Sequence, residues 1–408
     1  MEAIPTAQRE AESPDGTERM NIALCYESVL PSRGGCETYI GDLSRRLAKD
    51  GHEVHLYACR WDASVLPASM HYHELQVPEG PRFLRPWRFG RAVESALVGR
   101  DHDVTVGFDK TWGQDVLYPQ GGLHAASAVH NRRKHPNAFL RIAAGIAKWF
   151  DPAAWSFARL ERKQYLGGRR SIVVVNSQMV QRHFAEFYGI GPEKLRVVRS
   201  AIDPARFKPE DRAARRRAER STWGVADGVP VGLFVAMNYR LKGLAPLIRA
   251  LARVPLEVPL KVVVVGHPKF AQYERLAESL RVRDRLLFLG FRAAPKDAYF
   301  AADFLVHPTF YDPCSLVVLE ALACGLPVIT TRFNGASELL TPENGIVIDD
   351  PHDADAFGRA LTAMSDPNYR DSAAHAAHAA AQAWTFEQHY AALLEVFEEA
   401  RTRKRCSR

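Results

Sequence analysis

Short, largely apolar runs punctuate this chain, and their rhythm sets the class of fold. Runs at residues 21–26, 52–58, 104–108, 171–176 and 195–198 occupy the first half, and runs at 231–236, 260–265, 286–289, 304–306, 328–331 and 346–348 the second. Each has the length of a strand, and helical patterns separate them. Strands that are apolar on both faces belong to parallel sheets covered by helices. The first unit makes the pattern explicit: a strand at 21–26, a loop at 30–37 carrying Gly34 and Gly35, a helix at 38–49, a stop at Asp50-Gly51, and a strand at 52–58. Strand, loop, helix and strand in that order make a βαβ unit with parallel strands. At 408 residues the chain exceeds one ordinary core and divides into two α/β domains. The stretch 199–209, with Pro204 and Pro209, reads as the linker. The arginine-rich helix that follows it is read as a solvated face.

Composition removes several classes. Hydrophobic content of 47% with 25% charged residues is that of a soluble globular protein. No apolar run reaches the length of a membrane span. Residues 1–19 are polar, carry Pro and Gly, lack the apolar core of a secretory leader, and are expected to be disordered. The charge of +7 favours an anionic partner such as a nucleotide or a phospholipid surface. Nucleic acid is not expected, because no zinc-finger or RNP signature is present. The six cysteines have no paired spacing and are read as reduced thiols in a cytosolic compartment, not metal ligands.

The densest chemistry lies between residues 310 and 330. Asp312 sits in a turn with Pro313, Cys314 and Ser315. An apolar helix begins near Leu316 and carries Glu320, and Gly325 and Pro327 end it before the strand 328–331. A helix N-terminus offers backbone N–H groups and a positive dipole end to a phosphate. Glu320 can accept from a ribose diol, and Asp312 from the hydroxyls of a sugar. After the first strand of the second half come Arg240 and Lys242, two cations where open α/β sheets bind ligands.

Asp312-x7-Glu320 resembles the E-x7-E signature of the GT4 family of retaining glycosyltransferases, with Asp in place of the first Glu and a reach one methylene shorter. The likeness extends from about residue 20 to the C-terminal helices. Within the family the chain most resembles the WaaG-type lipopolysaccharide core glucosyltransferases. This resemblance implies a GT-B fold: two doubly wound, Rossmann-like parallel-sheet domains facing a central cleft. The N-terminal, acceptor-side domain is placed at 20–200 and the nucleotide-sugar domain at 201–380. The last segment, 381–408, is expected to cross back onto the first domain.

The same resemblance implies roles. Lys242 and Arg240 hold the leaving diphosphate, Asp312 the donor sugar, and Glu320 the ribose. The N–H groups of Ser315 and Leu316, with the Gly34-Gly35 loop, meet the phosphates. Residues 108–116 resemble a WaaG-type segment and place Asp109, Lys110 and Asp115 on the acceptor side, with His124 close to the reacting sugar. No protein nucleophile, metal or other cofactor is expected. The two Asp-x-Asp triplets, at 101–103 and 353–355, are read as structural. In segment 124–165, basic and aromatic residues at helical spacing suit an anionic membrane surface or, equally, a core helix with a charged outer face.

The resulting expectation is an enzyme peripheral to the cytoplasmic face of the inner membrane. It would move a hexose, glucose from UDP-glucose, to a lipid-linked saccharide such as lipopolysaccharide core. Alternatives are a GDP-mannose-dependent enzyme of exopolysaccharide or capsule assembly, a GT-B nucleotide-sugar epimerase, and a non-catalytic binding protein of the same fold.

Overall fold

The computed structural model describes residues 18–30, 35–167, 171–208, 211–292 and 295–406. The tail expected at 1–19 lies outside them except for its last two residues, as does Gly34.

The first domain contains strands β1 (Asn21–Cys25), β2 (Ser28–Val29), β3 (Glu53–Ala58), β4 (Arg60–Trp61), β5 (His71–Glu74), β6 (Val104–Phe108), β7 (Val116–Tyr118), β8 (Ile172–Val175) and β9 (Leu195–Val197). Its helices are α1 (Gly35–Lys49), α2 (Arg85–Ala96), α3 (His124–Arg133), α4 (Ala138–Trp149), α5 (Pro152–Leu166) and α6 (Gln178–Tyr188). Strands β2 and β4 pair with each other, and the other seven form a parallel sheet in the order β5-β3-β1-β6-β7-β8-β9. Strands β5 and β7 are not visible as apolar runs. The first is a polar edge strand, His-Tyr-His-Glu, and the second has only three residues.

The second domain contains α7 (Arg212–Trp223), β10 (Val231–Ala236), α8 (Tyr239–Lys242), α9 (Leu244–Leu251), β11 (Lys261–Gly266), α10 (Ala271–Ser279), β12 (Leu286–Gly290), α11 (Lys296–Ala301), β13 (Phe304–His307), α12 (Leu316–Ala323), β14 (Val328–Thr331) and β15 (Gly345–Ile348). Helices α13 (Ala354–Ala363), α14 (Pro367–Ala383) and α15 (Phe386–Arg405) follow. Its parallel sheet has the order β12-β11-β10-β13-β14-β15. Val262 to Val265 on β11 are buried, alternately in the core clusters on the two faces of this sheet.

Both sheets start in the middle, wind to one edge, return to the middle and wind to the other. The reversal falls between β1 and β6 in one domain and between β10 and β13 in the other. Ligands of doubly wound sheets bind outside the C-terminal strand ends at such points.

Helix α15 packs against the first domain. Tyr390, Leu393 and Phe397 join the buried cluster of β1, β3 and β6, each burial contributing about 1.5–3 kcal/mol. Arg196 makes a two-pronged contact with Glu399 at 2.9 and 2.6 Å. Trp384, in the break between α14 and α15, donates its indole N–H to Arg199 O at 3.1 Å.

Candidate active site

Lys242 and Asp312 stand together at the switch point of the second domain. Lys242 is the last residue of α8, just after β10, and Asp312 lies in the loop after β13. Lys242 Nζ donates to Asp312 Oδ2 at 2.5 Å and to Tyr311 O at 3.4 Å. Burial pushes the Asp312 carboxyl up, but Lys242 and His307 outweigh it and hold the group well below the usual carboxylate range. The site therefore presents a fixed anion and a cation side by side.

The backbone of Asp312 is held from the next loop. Its N–H donates to Phe333 O at 2.9 Å, and its carbonyl accepts from Gly335 N at 2.8 Å. Asn334 locks that loop in turn, accepting from Ser315 N at 3.2 Å and Ala336 N at 3.1 Å and donating to Thr330 Oγ1 at 3.1 Å. This corrects one expectation: the Ser315 N–H serves Asn334. At the start of α12 the Val318 N–H already donates to Ser315 O at 3.1 Å, so Leu316 and Val317 carry the N–H groups that open the helix.

Glu320 lies farther along α12 and accepts from the Tyr299 hydroxyl at 2.6 Å. Burial raises its pKa, against the lowering effects of Tyr299, Arg206 and Lys296. Arg240 is exposed and does not join the Lys242–Asp312 pair. Its guanidinium lies 3.4 Å from His135 Nε2, in the first domain.

The two domains meet closely around these groups. A Cβ placed on Gly35 would lie 2.7 Å from Leu316 Cδ1, so the start of α1 abuts the start of α12. A Cβ on Gly122 would lie 2.4 Å from the Tyr311 hydroxyl, so the loop before α3 lies against the loop that carries Asp312. Glu338 of the second domain accepts from the first N–H groups of α6, Gln178 N at 3.0 Å and Met179 N at 2.7 Å. Ser177 Oγ donates to Pro313 O at 2.7 Å.

Asp109, Lys110 and His124 line one cavity of about 200 Å³ on the first-domain side, with Phe157, Glu161 and Gln164. Asp109 adopts the left-handed conformation, φ +52°, and its carboxylate accepts from Gly121 N at 3.1 Å. Burial raises its pKa, against that hydrogen bond and Lys110. The His124 ring stacks on Phe157 at 4.7 Å. Burial, then Lys148 and Lys110, lower its pKa.

Asp115 is not part of the cleft. It precedes β7 at the opposite end of the sheet, where it accepts from Thr105 N at 2.9 Å, Thr105 Oγ1 at 2.8 Å and Lys404 Nζ at 3.0 Å. Its role is to fasten the end of α15 beneath the first domain.

Three residues of the site escaped the sequence reading. His307 is 1% exposed, and its Nε2 faces Asp312 Oδ2 at 3.5 Å. Glu161 is buried and accepts from Ala125 N at 3.0 Å, from His124 N, and from the Tyr188 hydroxyl at 2.7 Å. It thereby fixes the start of α3. Asn334, the third, sits in an Asn-Gly pair just after β14, which is a turn signal in the sequence; Glu161 has no comparable local mark.

Segment 124–165 forms α3, α4 and α5. No residue of α4 is buried. Phe139, Ile142, Ile146, Trp149 and Phe150 form an exposed stripe, with Phe139 74% and Phe150 78% exposed. A core helix is excluded for α4. Among the described residues, no helix is long and apolar enough to cross a membrane.

Residues 33–206 match the model of Glycosyltransferase Family 4, and residues 215–381 that of Glycosyl transferases group 1. A D-inositol 3-phosphate glycosyltransferase of Kribbella flavida is 30% identical, over 87% of this chain and 88% of that protein. The lipopolysaccharide glucosyltransferase WaaG of Escherichia coli K12 is 26% identical, over 84% and 88%. A crystal structure of WaaG aligns with a TM-score of 0.73, 23% identity and coverage of 93% and 98%. The Anabaena protein HepE, solved with UDP-glucose, aligns with a TM-score of 0.66, 19% identity and coverage of 93% and 100%.

Proposed function

Since the chain belongs to the GT4 family of glycosyltransferases and has the two parallel-sheet domains of a GT-B fold, we propose that it transfers a hexose, glucose from UDP-glucose, to a lipid-linked saccharide with retention of anomeric configuration. The observation that carries this reading is the Lys242–Asp312 pair at the switch point, in the loop that leads into α12, whose first residue Leu316 abuts Gly35 of the first domain.

In this reading the diphosphate lies between Lys242 and the first turn of α12, and shares the ammonium with Asp312. Arg240 swings from His135 to the same charge. Together they neutralise the leaving group without a metal, as fixed charges do best in a site poor in water. Glu320 accepts from the ribose through the oxygen not engaged by Tyr299. Asp312 orients the hydroxyls of the transferred sugar. The acceptor enters beside Asp109, Lys110 and His124. Its hydroxyl attacks the anomeric carbon as the bond to the diphosphate breaks, and its proton passes to the departing phosphate oxygen on the same face. The protein contributes alignment and charge, and no side chain forms a covalent intermediate.

The exposed stripe of α4 supports a lipid-linked acceptor. Its apolar residues alternate with Arg141 and Lys148, which suits the interface of an anionic bilayer. In this reading the protein works peripherally, at a cytoplasmic membrane face.

Calorimetric titration of the purified protein with UDP-glucose, UDP, GDP-mannose and GDP tests the donor. Uridine-selective binding that Lys242→Ala abolishes is expected. Guanosine selectivity would replace UDP-glucose by GDP-mannose, and no binding of any of the four would remove the donor site altogether.

A further inference from the structure

Four of the chain's fifteen histidines gather in one place far from the cleft. His55 on β3 faces His71 across the β3–β5 ladder. Their rings stack at 4.6 Å, His73 stacks on His55 at 5.2 Å, and His102 meets His55 edge-on at 4.6 Å. Glu53 stands at the start of β3. Glu53 Oε1 lies 3.1 Å from His55 Nε2 and 3.5 Å from His71 Nε2. The three ligand atoms lie within 4.8 Å of one another.

We infer that Glu53, His55 and His71 form a binding site for one divalent transition-metal ion, Zn²⁺ by its ligand chemistry. Two imidazoles and a carboxylate are a zinc donor set, and tetrahedral bonds of 2.0–2.2 Å place the ligands about 3.3–3.5 Å apart. Two of the three edges are already close to this length. The third closes by rotation of the His71 side chain, which is 56% exposed. The other nitrogen of the His55 ring is also held: Nδ1 is 2.9 Å from His73 Nε2. With Nδ1–H donating to His73 Nε2, the His55 tautomer leaves Nε2 free for the metal, the arrangement that the second-nitrogen hydrogen bond of a ligating histidine secures. His73 in turn stacks on Tyr57 at 4.3 Å, and the Tyr57 hydroxyl is paired with His102 Nε2 at 2.8 Å. The His55 side chain is 12% exposed, whereas Glu53 and His71 open to solvent, so an ion can enter and keep a water as its fourth ligand.

The location defines the role. Glu53 and His71 begin their strands, so the site is at the end of the sheet opposite the cleft. Strand β5 is the sheet edge and, among the described strands, pairs with β3 alone. An ion shared by Glu53, His55 and His71 fastens that edge strand to the sheet. It takes no part in sugar transfer.

The test is titration of tag-free, full-length, metal-stripped protein with ZnCl₂, followed by calorimetry and by the visible spectrum of the Co²⁺ form. One saturable equivalent is expected, with the strong absorption of four-coordinate Co²⁺, and no comparable binding of Mg²⁺. His71→Asn and Glu53→Gln, both at solvent-exposed positions, should each weaken Zn²⁺ at least tenfold while the far-UV spectrum is unchanged. His375→Asn, on the exposed face of α14, should leave it unaltered. Absence of a saturable site, or equal affinity in His71→Asn and the parent, would overturn the assignment.

Discussion

Replacing Lys242 by Met separates what the Lys242–Asp312 pair does for folding from what it does for catalysis. The ammonium is 2.5 Å from Asp312 Oδ2, and the two side chains are 21% and 13% exposed. Removing one member of a buried pair costs about 3–5 kcal/mol, and the partial exposure of Lys242 reduces this to about 2–3 kcal/mol at neutral pH. The pH dependence follows from Asp312. In the parent its folded pKa is depressed, so the pair's contribution is complete above the unfolded value of about 4 and fades as pH falls below it. In Lys242→Met the burial remains and the strongest opposing charge is gone, so the folded pKa rises above the unfolded one. The destabilisation should then be largest near neutrality and shrink as pH falls towards about 4. Urea denaturation at about pH 7.5 and about pH 5 reads this directly. Adding Asp312→Asn removes the uncompensated charge and should bring stability back to within about 1 kcal/mol of the parent. Turnover should not return: both variants should lose about 10²–10³-fold in kcat/KM, the usual cost of one charge-stabilising donor. Near-normal turnover in the double variant, or a destabilisation equal at both pH values, would refute the reasoning.

Asp115→Ala gives the contrasting outcome. It removes the acceptor of Thr105 and Lys404, so stability should fall by about 2 kcal/mol in denaturant unfolding while kcat/KM per folded molecule is unchanged; a selective loss of activity would return Asp115 to the cleft. Phe139→Glu with Ile142→Glu alters only exposed positions of α4. Sedimentation with anionic vesicles should drop at least tenfold in this variant, and the parent should be released by high salt; unchanged sedimentation would remove α4 from the membrane contact.

The strands of the second sheet were legible because burial on both faces leaves them uniformly apolar; β11 reads Lys-Val-Val-Val-Val-Gly. Edge strand β5 was not, because one side of it meets water and polar residues suffice there. Asp312 and Glu320 were legible one by one, since Asp312-x7-Glu320 is a local pattern. The ion pair between Lys242 and Asp312 was not, because it joins the end of α8 to a loop 70 residues on. Asp115 was misplaced for a geometric reason. In a parallel sheet the chain must return from the C-terminal end of β6 to the N-terminal end of β7, and residues 109–115 make that whole journey. Asp109 at its start lines the cleft cavity, and Asp115 at its end is on the far side. The histidines of β3 and β5 alternate with apolar residues and left no recognisable spacing, because register, not sequence, brings them together.

The chain passes between the domains twice, before α7 and before α15, and the two crossings are tied at one residue. Arg199 O accepts from the Trp384 indole and is paired with His389 Nδ1 at 2.7 Å. Two tethers joined at one point leave the pair of domains a single pivot. An opening about Arg199 would carry Leu316 and Tyr311 away from Gly35 and Gly122. Glu338 on α6 and Ser177 on Pro313 bridge the domains away from that point, so any such swing has to break them.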